Sequence, residues 1–508
     1  MRGPHNIWRL IRTGATFERT GAMRQALEAL AAPPSLRVVA RVLGWPFQWL
    51  GYQGDPTQPP VARALTALGP AYIKFGQLLS TRPDVVGPEL ARELTVLQDK
   101  LPPFPTSVAR AAIETQFGQP LETLFSEFSE PVAAASLAQV HRATLIETGQ
   151  DVAVKVLRPG IERAFLRDVD AFYFAAWMIE TAAPFARRLR PRAVIEHFEG
   201  VVLSELDLRT EAAAASEFRG TTADDPDFRV PAVMWQGTGR RVLTLEWVEG
   251  INLGDLPALR ASGTDLVRLS EIVIQSFLRH ALRDGFFHAD MHQGNLKLGP
   301  DGALVSLDFG IMGRIDTYTR RVYAEILIGF LQRDYARVAR AHFEAGYVPS
   351  ARDMADFAQA IRAIGEPIFG QDATRISMAR LLAHLFEVTE RFGMATRTEL
   401  ILLQRTMVVV EGVARSLDPT MNMWEVSRPI VTDYIASALG PKAMVHDLTA
   451  TLRVLSRFGP RLPHMAEMAL LRASAPPLPP PRRGLPGWAW ALCGTALGAG
   501  LVAFGSLL

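Results

Sequence analysis

Two aspartates and an asparagine stand close together in the chain, with a spacing that suits phosphoryl transfer. Asn295 follows Asp290 by five residues, and Asp308 comes after two apolar runs, LKL and ALVSL, which flank the turn Gly299–Gly302. A hairpin built on this turn would bring Asp308 back beside Asn295. Asp308 and Asn295 offer the oxygen ligands that Mg²⁺ prefers, and Asp290 can orient an attacking oxygen. An ordinary polar turn is the alternative, but the joint spacing favours a magnesium nucleotide site.

The composition excludes several classes of protein. The chain has 508 residues, of which 48% are hydrophobic, a net charge of +2 and one cysteine, Cys493. These values predict a folded protein of more than one packed unit, with no nucleic-acid partner and no internal disulfide. Counting gives 5 lysines, and therefore 54 − 5 = 49 arginines. Because Arg is bulky and planar, each lysine in such a chain is a candidate for a site that needs a compact positive charge.

Lys155 is predicted to lie in the middle of a strand. Alternating residues in QVHRATLI and DVAVKVL indicate two antiparallel strands that are joined across Glu147–Gln150. Protein kinases place at such a position the lysine that holds the α- and β-phosphates of ATP. We predict the same role for Lys155, and a lysine that merely extends to solvent is the alternative.

Two further segments are predicted to border the nucleotide. RVLTLEWVEGINL indicates a strand followed by a hinge at Gly250, which places the adenine near Glu246 and Val248. The other segment stands where kinases carry a glycine-rich phosphate loop, and it consists of Ala133, Ala134, Ala135 and Ser136. Since alanine resists positive φ, we expect this loop to be stiff and its amides to be less free to wrap phosphates.

The segment VVLSELDLRTEAAAASEF is predicted to form one helix. In a continuous helix Asp207 and Glu211 share a face at i,i+4, and Glu205 is turned away. Two carboxylates on one face repel each other unless a cation lies between them. Lys155, Mg²⁺ and Lys74 are candidate cations, and Glu211 is the predicted ion-pair partner of Lys155. A charged helix exposed to solvent is the alternative.

An earlier helical region contains VARALTALGPAYIKFGQLLSTRPD. The pattern predicts a helix that bends near Gly69 and Pro70 and ends before Pro83. Lys74 and Gln77 are neighbours at i,i+3 on one face of it. The helical pattern alone favours a simple solvent-exposed face.

Five motifs in chain order resemble those of the UbiB family of atypical kinases, over roughly residues 60–345. They are K-x-G-Q at Lys74, Gly76 and Gln77, the alanine-rich loop Ala133–Ser136, V-A-V-K ending at Lys155, E-x-D at Glu205 and Asp207 followed by Glu211, and the set Asp290, Asn295 and Asp308. One departure is Ala138, where many members carry Gly. The resemblance implies a kinase-like fold that binds ATP and Mg²⁺, and ATP hydrolysis that supports ubiquinone assembly in contact with lipid.

The resemblance also implies roles for these residues. Lys155 and Glu211 would fix the phosphates, Asp308 and Asn295 would hold the metal, and Asp290 would act on the attacking oxygen. In the family the K-x-G-Q helix folds over the active site and the E-x-D carboxylates face it. Regulation of access is therefore expected from Lys74, Gly76, Gln77, Glu205 and Asp207.

The segment after Asp308 bears on the acceptor of the phosphoryl group. The chain enters a helix within about ten residues, without Ala-Pro-Glu and without a long segment that could dock a peptide. Water or a small molecule is therefore the expected acceptor. Two alternatives stay open. HADMHQGN also resembles the antibiotic phosphotransferases, which would make the protein a small-molecule or lipid kinase. A scaffold that binds ATP without turnover and recruits quinone-pathway enzymes is the other.

The C-terminal segment is predicted to cross a membrane. Gly487–Leu508 contains 22 residues without a charge. A helix of that length measures about 33 Å, enough for a bilayer core of about 30 Å. Arg482 and Arg483 favour a cytoplasmic position for the preceding chain, and Gly494 and Gly498 would allow two such helices to pair in a homodimer. We expect a single-pass protein of the bacterial cytoplasmic membrane, with membrane lipid and quinone precursors or quinone-pathway enzymes as partners.

The expected fold class is α+β, an atypical protein-kinase-like fold of two lobes. The predicted segments are an N-terminal helical segment (1–59), a helical extension with the K-x-G-Q motif (60–130), a small lobe (131–250), a large lobe with accessory helices (251–475), a Pro-rich linker (476–486) and a transmembrane helix (487–508).

Overall fold

The structure is a computed structural model, and the described part of the chain is an α+β fold of two lobes with helical additions. It describes residues 6–29, 34, 38, 45–80, 86–94, 96–97, 102–135, 137–182, 190–369, 388, 391–394 and 398–438. The strands are β1 (Phe125–Ala134), β2 (Ala138–Leu145), β3 (Asp151–Leu157), β4 (Phe228–Arg229), β5 (Val242–Glu246), β6 (Ile251–Asn252), β7 (Phe286–His288), β8 (Leu296–Leu298), β9 (Leu304–Ser306) and β10 (Met312–Arg314).

The helices lie before, between and after these strands. They are α1 (Ile7–Thr20), α2 (Ala22–Ala29), α3 (Pro60–Leu68), α4 (Pro70–Ser80), α5 (Pro88–Leu94), α6 (Thr106–Phe117), α7 (Ile161–Ala182), α8 (Pro191–Glu205), α9 (Leu208–Thr221), α10 (Leu256–Ala261), α11 (Leu266–Arg279), α12 (Thr317–Leu331), α13 (Tyr335–Glu344), α14 (Met354–Phe369), α15 (Thr398–Leu417) and α16 (Met423–Ala438). The bend predicted near Gly69 is a break between α3 and α4, and Gly69 has φ 108°.

The small lobe is built on an antiparallel sheet with the strand order β1-β2-β3-β5. The predicted hairpin of β2 and β3 is confirmed, with Val140 opposite Lys155. The expectation that helices continue to residue 130 is wrong beyond Gly118. Gly118 ends α6 in the left-handed conformation, and Pro120 then begins a short turn, so Phe125 can start β1 as a strand.

The prediction of one continuous helix through Glu205 and Glu211 is also wrong. Helix α8 ends at Glu205, and α9 begins at Leu208. Between them Asp207 has an extended backbone, and its side chain accepts a hydrogen bond from the backbone N–H of Arg209. Aspartate is favoured as such an N-cap because it satisfies an amide that the new helix leaves open. The break therefore starts a second helix, with Glu211 in its first turn.

The large lobe contains the predicted hairpin of β8 and β9, which is confirmed. Leu296 pairs with Ser306 and Leu298 with Leu304, and the turn between them includes Gly302 at φ 82°. The backbone N–H of Leu307 then donates to the carbonyl of Asn295 at 3.0 Å. This hydrogen bond places Asp308 next to the Asn295 loop, as the sequence predicted.

Aromatic side chains pack α9 against the residues before and after this hairpin. Phe218 of α9 is buried, and its ring lies 5.8 Å from that of Phe286 and 6.3 Å from that of Phe309. Phe309 directly follows Asp308. Core packing therefore links the helix that carries Glu211 to the segment that carries Asp308.

The segment that the sequence predicts to cross a membrane, Gly487–Leu508, lies outside the described residues, as does the Pro-rich linker before it. Among the helices given above, none is long and apolar enough to span a bilayer.

An ionic cluster surrounds the buried carboxylate of Asp225, just before β4. The carboxylate of Asp225 accepts hydrogen bonds from His280 Nε2 at 3.0 Å and from Arg283 Nη1 at 2.6 Å, and Arg279 lies 3.4 Å away. Burial opposes the ionisation of Asp225, but the hydrogen bonds from His280 and Arg283 outweigh it and hold its pKa well below the usual range. The cluster therefore joins the C-terminal end of α11 to the chain entering β4.

We expect Asp225→Asn to reduce the free energy of unfolding by roughly 2–4 kcal/mol at pH 7, because it removes the buried negative charge to which His280, Arg279 and Arg283 are bound. A depressed pKa contributes stability above the unfolded-state value, and that contribution is lost as pH falls below about 4. Urea unfolding of both proteins should therefore show a gap that narrows towards pH 3. The exposed neighbour Asp224→Asn serves as control. A gap that is constant with pH would contradict this account.

Candidate nucleotide-binding site

Lys155, Glu211 and Asp308 meet in one ionic contact. The Lys155 ammonium lies 2.7 and 3.0 Å from the two carboxylate oxygens of Glu211 and 3.3 Å from Asp308 Oδ2. Lys155 is in the interior of the small-lobe sheet, since β3 pairs with β2 on one side and β5 on the other. Three separate parts of the chain, β3, α9 and the segment after β9, thus converge on one ammonium group. The ion pair predicted between Lys155 and Glu211 is present.

Lys155, Glu211 and Asp308 differ in how strongly their surroundings favour the charged form. Burial would lower the pKa of Lys155, but Asp308 and Glu211 outweigh it and raise that pKa above its ordinary value. Removal from water opposes the ionisation of Asp308, yet the Lys155 charge and the Gly310 N–H hold its pKa below the usual range. Burial dominates at Glu211 and raises its pKa to about 7 despite the nearby ammonium. Lys155 is therefore firmly cationic and Asp308 firmly anionic.

The loop that carries Asp290 and Asn295 is held by its own side chains. The Asn295 amide donates to the Asp290 carbonyl at 3.0 Å, and the Asp290 N–H donates to His288 Nδ1, also at 3.0 Å. Burial lowers the pKa of His288, which suits a neutral ring that accepts this hydrogen bond. The Asp290 carboxylate itself is partly exposed, and His292 Nε2 lies 3.8 Å from its Oδ2. The loop thus presents Asp290 from a fixed backbone.

The donors at Asp308 and Asn295 fit a magnesium ion that arrives with a nucleotide. Both are hard oxygen donors, and the Asp308 side chain is 43% exposed even though it contacts Lys155. Across the described ranges, no group of three or more His, Cys, Asp or Glu side chains forms a metal cluster. Mg²⁺ is commonly bound by one or two carboxylates together with substrate phosphates and water. A site with few protein ligands is therefore suitable for Mg-nucleotide.

The alanine-rich segment is more regular than a phosphate loop. Ala133 and Ala134 are the last residues of β1 and pair with Val140 and Gln139, so the prediction that they form a loop is wrong. Ala135 begins the turn, where its N–H donates to the Ala138 carbonyl at 2.8 Å. Ser136 lies outside the described residues. Pairing with β2 therefore holds Ala133 and Ala134 in the strand, although alanine has a low strand propensity.

The linker between the lobes runs from Glu246 to Gly250. The Glu246 side chain turns to Arg229 and to the Ala232 N–H, so it is engaged away from Lys155. The carbonyl of Val248 accepts a hydrogen bond from Lys297 Nζ at 3.0 Å. Gly250 has φ 145°, a conformation that favours glycine, and passes directly over the Leu298 carbonyl. The linker is thus pressed onto β8 of the large lobe.

The K-x-G-Q helix, α4, contacts one of the two E-x-D carboxylates. Lys74 Nζ lies 2.9 Å from Glu205 Oε2, and both side chains are largely buried. Gln77 donates to the Leu97 carbonyl at 3.3 Å. Asp207 pairs instead with Arg209 and caps α9, so the expectation that Asp207 shares a helix face with Glu211 is wrong. Its extended N-cap backbone places it before the first turn of that helix.

The tight packing of α4 explains its glycine. A Cβ added to Gly76 would collide with the Leu65 and Leu97 side chains. Gly76 therefore lets α4 lie close to α3 and to the segment after α5. The solvent-exposed face that the helical pattern favoured for Lys74 is replaced by a packed one.

Two residues near the site were missed at the sequence level. His288 fixes the Asp290 backbone, and its position two residues before Asp290 was the available signal. Lys297 binds the linker carbonyl, and the scarcity of lysine in this chain was the signal for it.

Comparison with known proteins gives a consistent family. The ABC1 atypical kinase-like domain matches residues 96–342, and the UbiB helical domain matches residues 361–422. A protein from Marinobacter nauticus named "Probable protein kinase UbiB" is 38% identical over 82% of this chain and 79% of its own length. A protein of the same name from Aeromonas salmonicida is 38% identical over 84% of this chain and 81% of its own length. Another from Vibrio cholerae is 39% identical over 79% of this chain and 75% of its own length.

A solved structure is also similar. The complex of Rv3197 with erythromycin from Mycobacterium tuberculosis aligns with a TM-score of 0.49 at 24% identity, over 70% of this chain and 90% of that chain.

We expect Gly250→Ala to destabilise the protein by roughly 2–4 kcal/mol, since a Cβ there combines an unfavourable φ with a collision against the Leu298 carbonyl. Thermal unfolding measures the change. Gly220→Ala is the matched control, because Gly220 lies in α9 with open space around its Cα and should be neutral or slightly stabilising. Equal midpoints for the two variants would show that the linker does not need this glycine.

Proposed function

We propose, from the premise that this chain belongs to the UbiB family of atypical kinases, that it binds Mg-ATP between Lys155 and Asp308 and transfers the terminal phosphoryl group to water or a small acceptor. The observation that carries the proposal is the convergence of Lys155, Glu211 and Asp308 within 2.7–3.3 Å. That contact supplies both a cation for phosphates and an exposed carboxylate for a metal, next to the loop that carries Asp290.

Each side chain has a distinct part in the reaction. Lys155 donates to the α- and β-phosphates while Glu211 keeps its ammonium in place. Asp308 and Asn295 would hold Mg²⁺, which when bound neutralises charge on the phosphates. Asp290 orients the attacking oxygen and accepts its proton as the bond from that oxygen to the γ-phosphorus forms. The bond between that phosphorus and the bridging oxygen breaks, and ADP leaves with the electron pair.

The segment after Asp308 supports water or a small molecule as the acceptor. The short strand β10 pairs with β7, and α12 begins at Thr317, capped by the side chain of Asp316. Only a few residues separate Gly310 from this helix, which leaves little chain with which to dock a peptide.

The family gives the biological setting of the proposal. The curated relatives are named for UbiB, and ubiquinone biosynthesis is the process that the family supports. We place the protein at the bacterial cytoplasmic membrane, anchored by the segment 487–508, where ATP hydrolysis would drive the handling of polyprenyl quinone precursors. Membrane lipid and quinone-pathway enzymes are the proposed partners.

The contact between Lys74 and Glu205 suggests how access is regulated. It joins α4 to the C-terminal end of α8, only a few residues before the helix that carries Glu211. We include in the proposal that α4, with Lys74, Gly76 and Gln77, restricts entry to the site. Breaking the Lys74–Glu205 ion pair would then release this restriction.

We expect Asp308→Asn to lower ATP hydrolysis by roughly 100- to 1000-fold, because an amide is a poor substitute for a metal-binding carboxylate. Phosphate release is measured for the full-length protein in liposomes, with and without a quinone-precursor phenol. The matched control is Asp224→Asn on the surface, which should hydrolyse ATP as the unmodified protein does. Unchanged turnover in Asp308→Asn would refute the assigned site.

Glu205→Gln and Lys74→Met should each raise the basal rate of ATP hydrolysis by roughly two- to fivefold, the range expected for one ion pair of up to about 1 kcal/mol. The double variant should be no faster than either single one, because both remove the same contact. Rates that multiply in the double variant, or that fall in the single ones, would contradict a gate held by this pair.

A further inference from the structure

Lys297 is a lysine of the described chain that the proposed reaction does not use. Lysines are rare here, and Lys74 and Lys155 both make the ion pairs described above, whereas Lys100 and Lys442 lie outside the described residues. Lys297 follows the proposed metal ligand Asn295 by two residues. Its Nζ donates to the Val248 carbonyl in the linker at 3.0 Å.

The strand around Lys297 shows which way this side chain points. Leu296 and Leu298 of β8 are buried in the core, and alternation along a strand puts Lys297 on the opposite face. There its ammonium lies 5.3 Å from the centre of the Trp247 ring. Lys297 therefore extends from the large lobe to the linker instead of into the core.

The small lobe forms the wall of the proposed nucleotide site opposite Lys297, and its strand register shows which residues lie on that wall. Residues paired across neighbouring strands project to the same face, and Ala153 pairs with Leu245 just as Lys155 pairs with Leu243. Ala153 and Leu245 therefore share the face of Lys155 but lie nearer to the linker. This part of the wall is apolar.

On both walls, the residue near the linker lies the same distance along the chain from the residue proposed to act at the phosphates. Ala153 is two residues from Lys155 and Lys297 is two residues from Asn295, and two residues of strand cover about 6–7 Å. On both walls this step of two residues leads towards the linker. The Trp247 N–H of the linker donates to the Asp151 carbonyl at the start of β3, and Gly250 of the linker lies against Leu298 at the end of β8. A flat base would thus lie under this apolar roof, with its linker-side edge towards the Lys297 ammonium that is bonded to the Val248 carbonyl.

A lysine ammonium can only donate hydrogen bonds. Guanine carries two adjacent acceptors, O6 and N7, whereas adenine carries N7 beside an amino group that is itself a donor. The Val248 carbonyl already accepts from Lys297, so the adenine amino group would compete with the ammonium for it. Guanine would instead accept from the same ammonium.

We propose that Lys297 is a specificity-determining residue that contacts the base and makes this site accept guanine nucleotides alongside adenine nucleotides. The inference rests on the proposed nucleotide site and adds the base selectivity of that site.

Equilibrium binding of Mg-ATP and Mg-GTP to the full-length protein tests it. The unmodified protein should bind the two nucleotides within about tenfold of each other. Lys297→Met should weaken GTP and leave ATP equal or tighter, which shifts the ratio of the two Kd values by about tenfold, or about 1.4 kcal/mol. Lys297→Arg keeps a donor and should retain more GTP binding than the methionine variant does. Lys155→Met is the comparison for phosphate binding, and it should weaken both nucleotides with their ratio unchanged.

Reductive methylation followed by mass spectrometry gives a second readout, because the chain has only 5 lysines. Guanosine and adenosine, which lack phosphates, should protect Lys297, whereas tripolyphosphate should protect Lys155. The inference is overturned if Lys297→Met leaves the Kd ratio unchanged, or if nucleosides leave Lys297 unprotected. In either case, ATP binding that depends on Lys155 still stands. If neither Mg-ATP nor Mg-GTP binds, the inference and the proposed function are overturned together.

Discussion

One ammonium group, that of Lys155, is shared between carboxylates that come from two different parts of the fold. Glu211 and Asp308 would repel each other across so short a distance if the lysine were absent, and a buried charge without a partner costs several kcal/mol. The small-lobe sheet, helix α9 and the β8–β9 hairpin must therefore come together for this contact to form. The site is for this reason a property of the whole fold and not of one loop.

Helix α9 shows how the core sets this contact. Glu211 and Phe218 are seven residues apart, so they lie on the same side of the helix two turns from each other. Phe218 is fully buried against Phe286 and Phe309. Packing of that ring fixes the rotation of α9, and the rotation in turn aims Glu211 at Lys155. The Asp207 cap sets where the helix begins, and so which turn carries Glu211.

The sequence was sufficient where local pattern and tertiary packing agree. Lys155 in its strand and Asp308 after its hairpin were placed correctly, because alternation and turn residues both act over a few positions. It was insufficient at Asp207 and at β1. Helical periodicity continues through Asp207, and only the competition of its side chain for a backbone amide ends the helix there. Ala133 and Ala134 have low strand propensity, and their place in β1 depends on pairing with β2.

The unequal surroundings of the two carboxylates indicate which of them a nucleotide, bound as proposed, would displace from Lys155. Glu211 is 8% exposed and holds Lys155 through both of its oxygens, whereas Asp308 is 43% exposed and contacts it through one, at the longer distance of 3.3 Å. Separating Lys155 from Glu211 would leave a buried carboxylate with neither water nor a cation. Separating it from Asp308 leaves a carboxylate that water or a metal ion can reach. An incoming triphosphate would therefore exchange with Asp308, and Glu211 would stay with the lysine throughout.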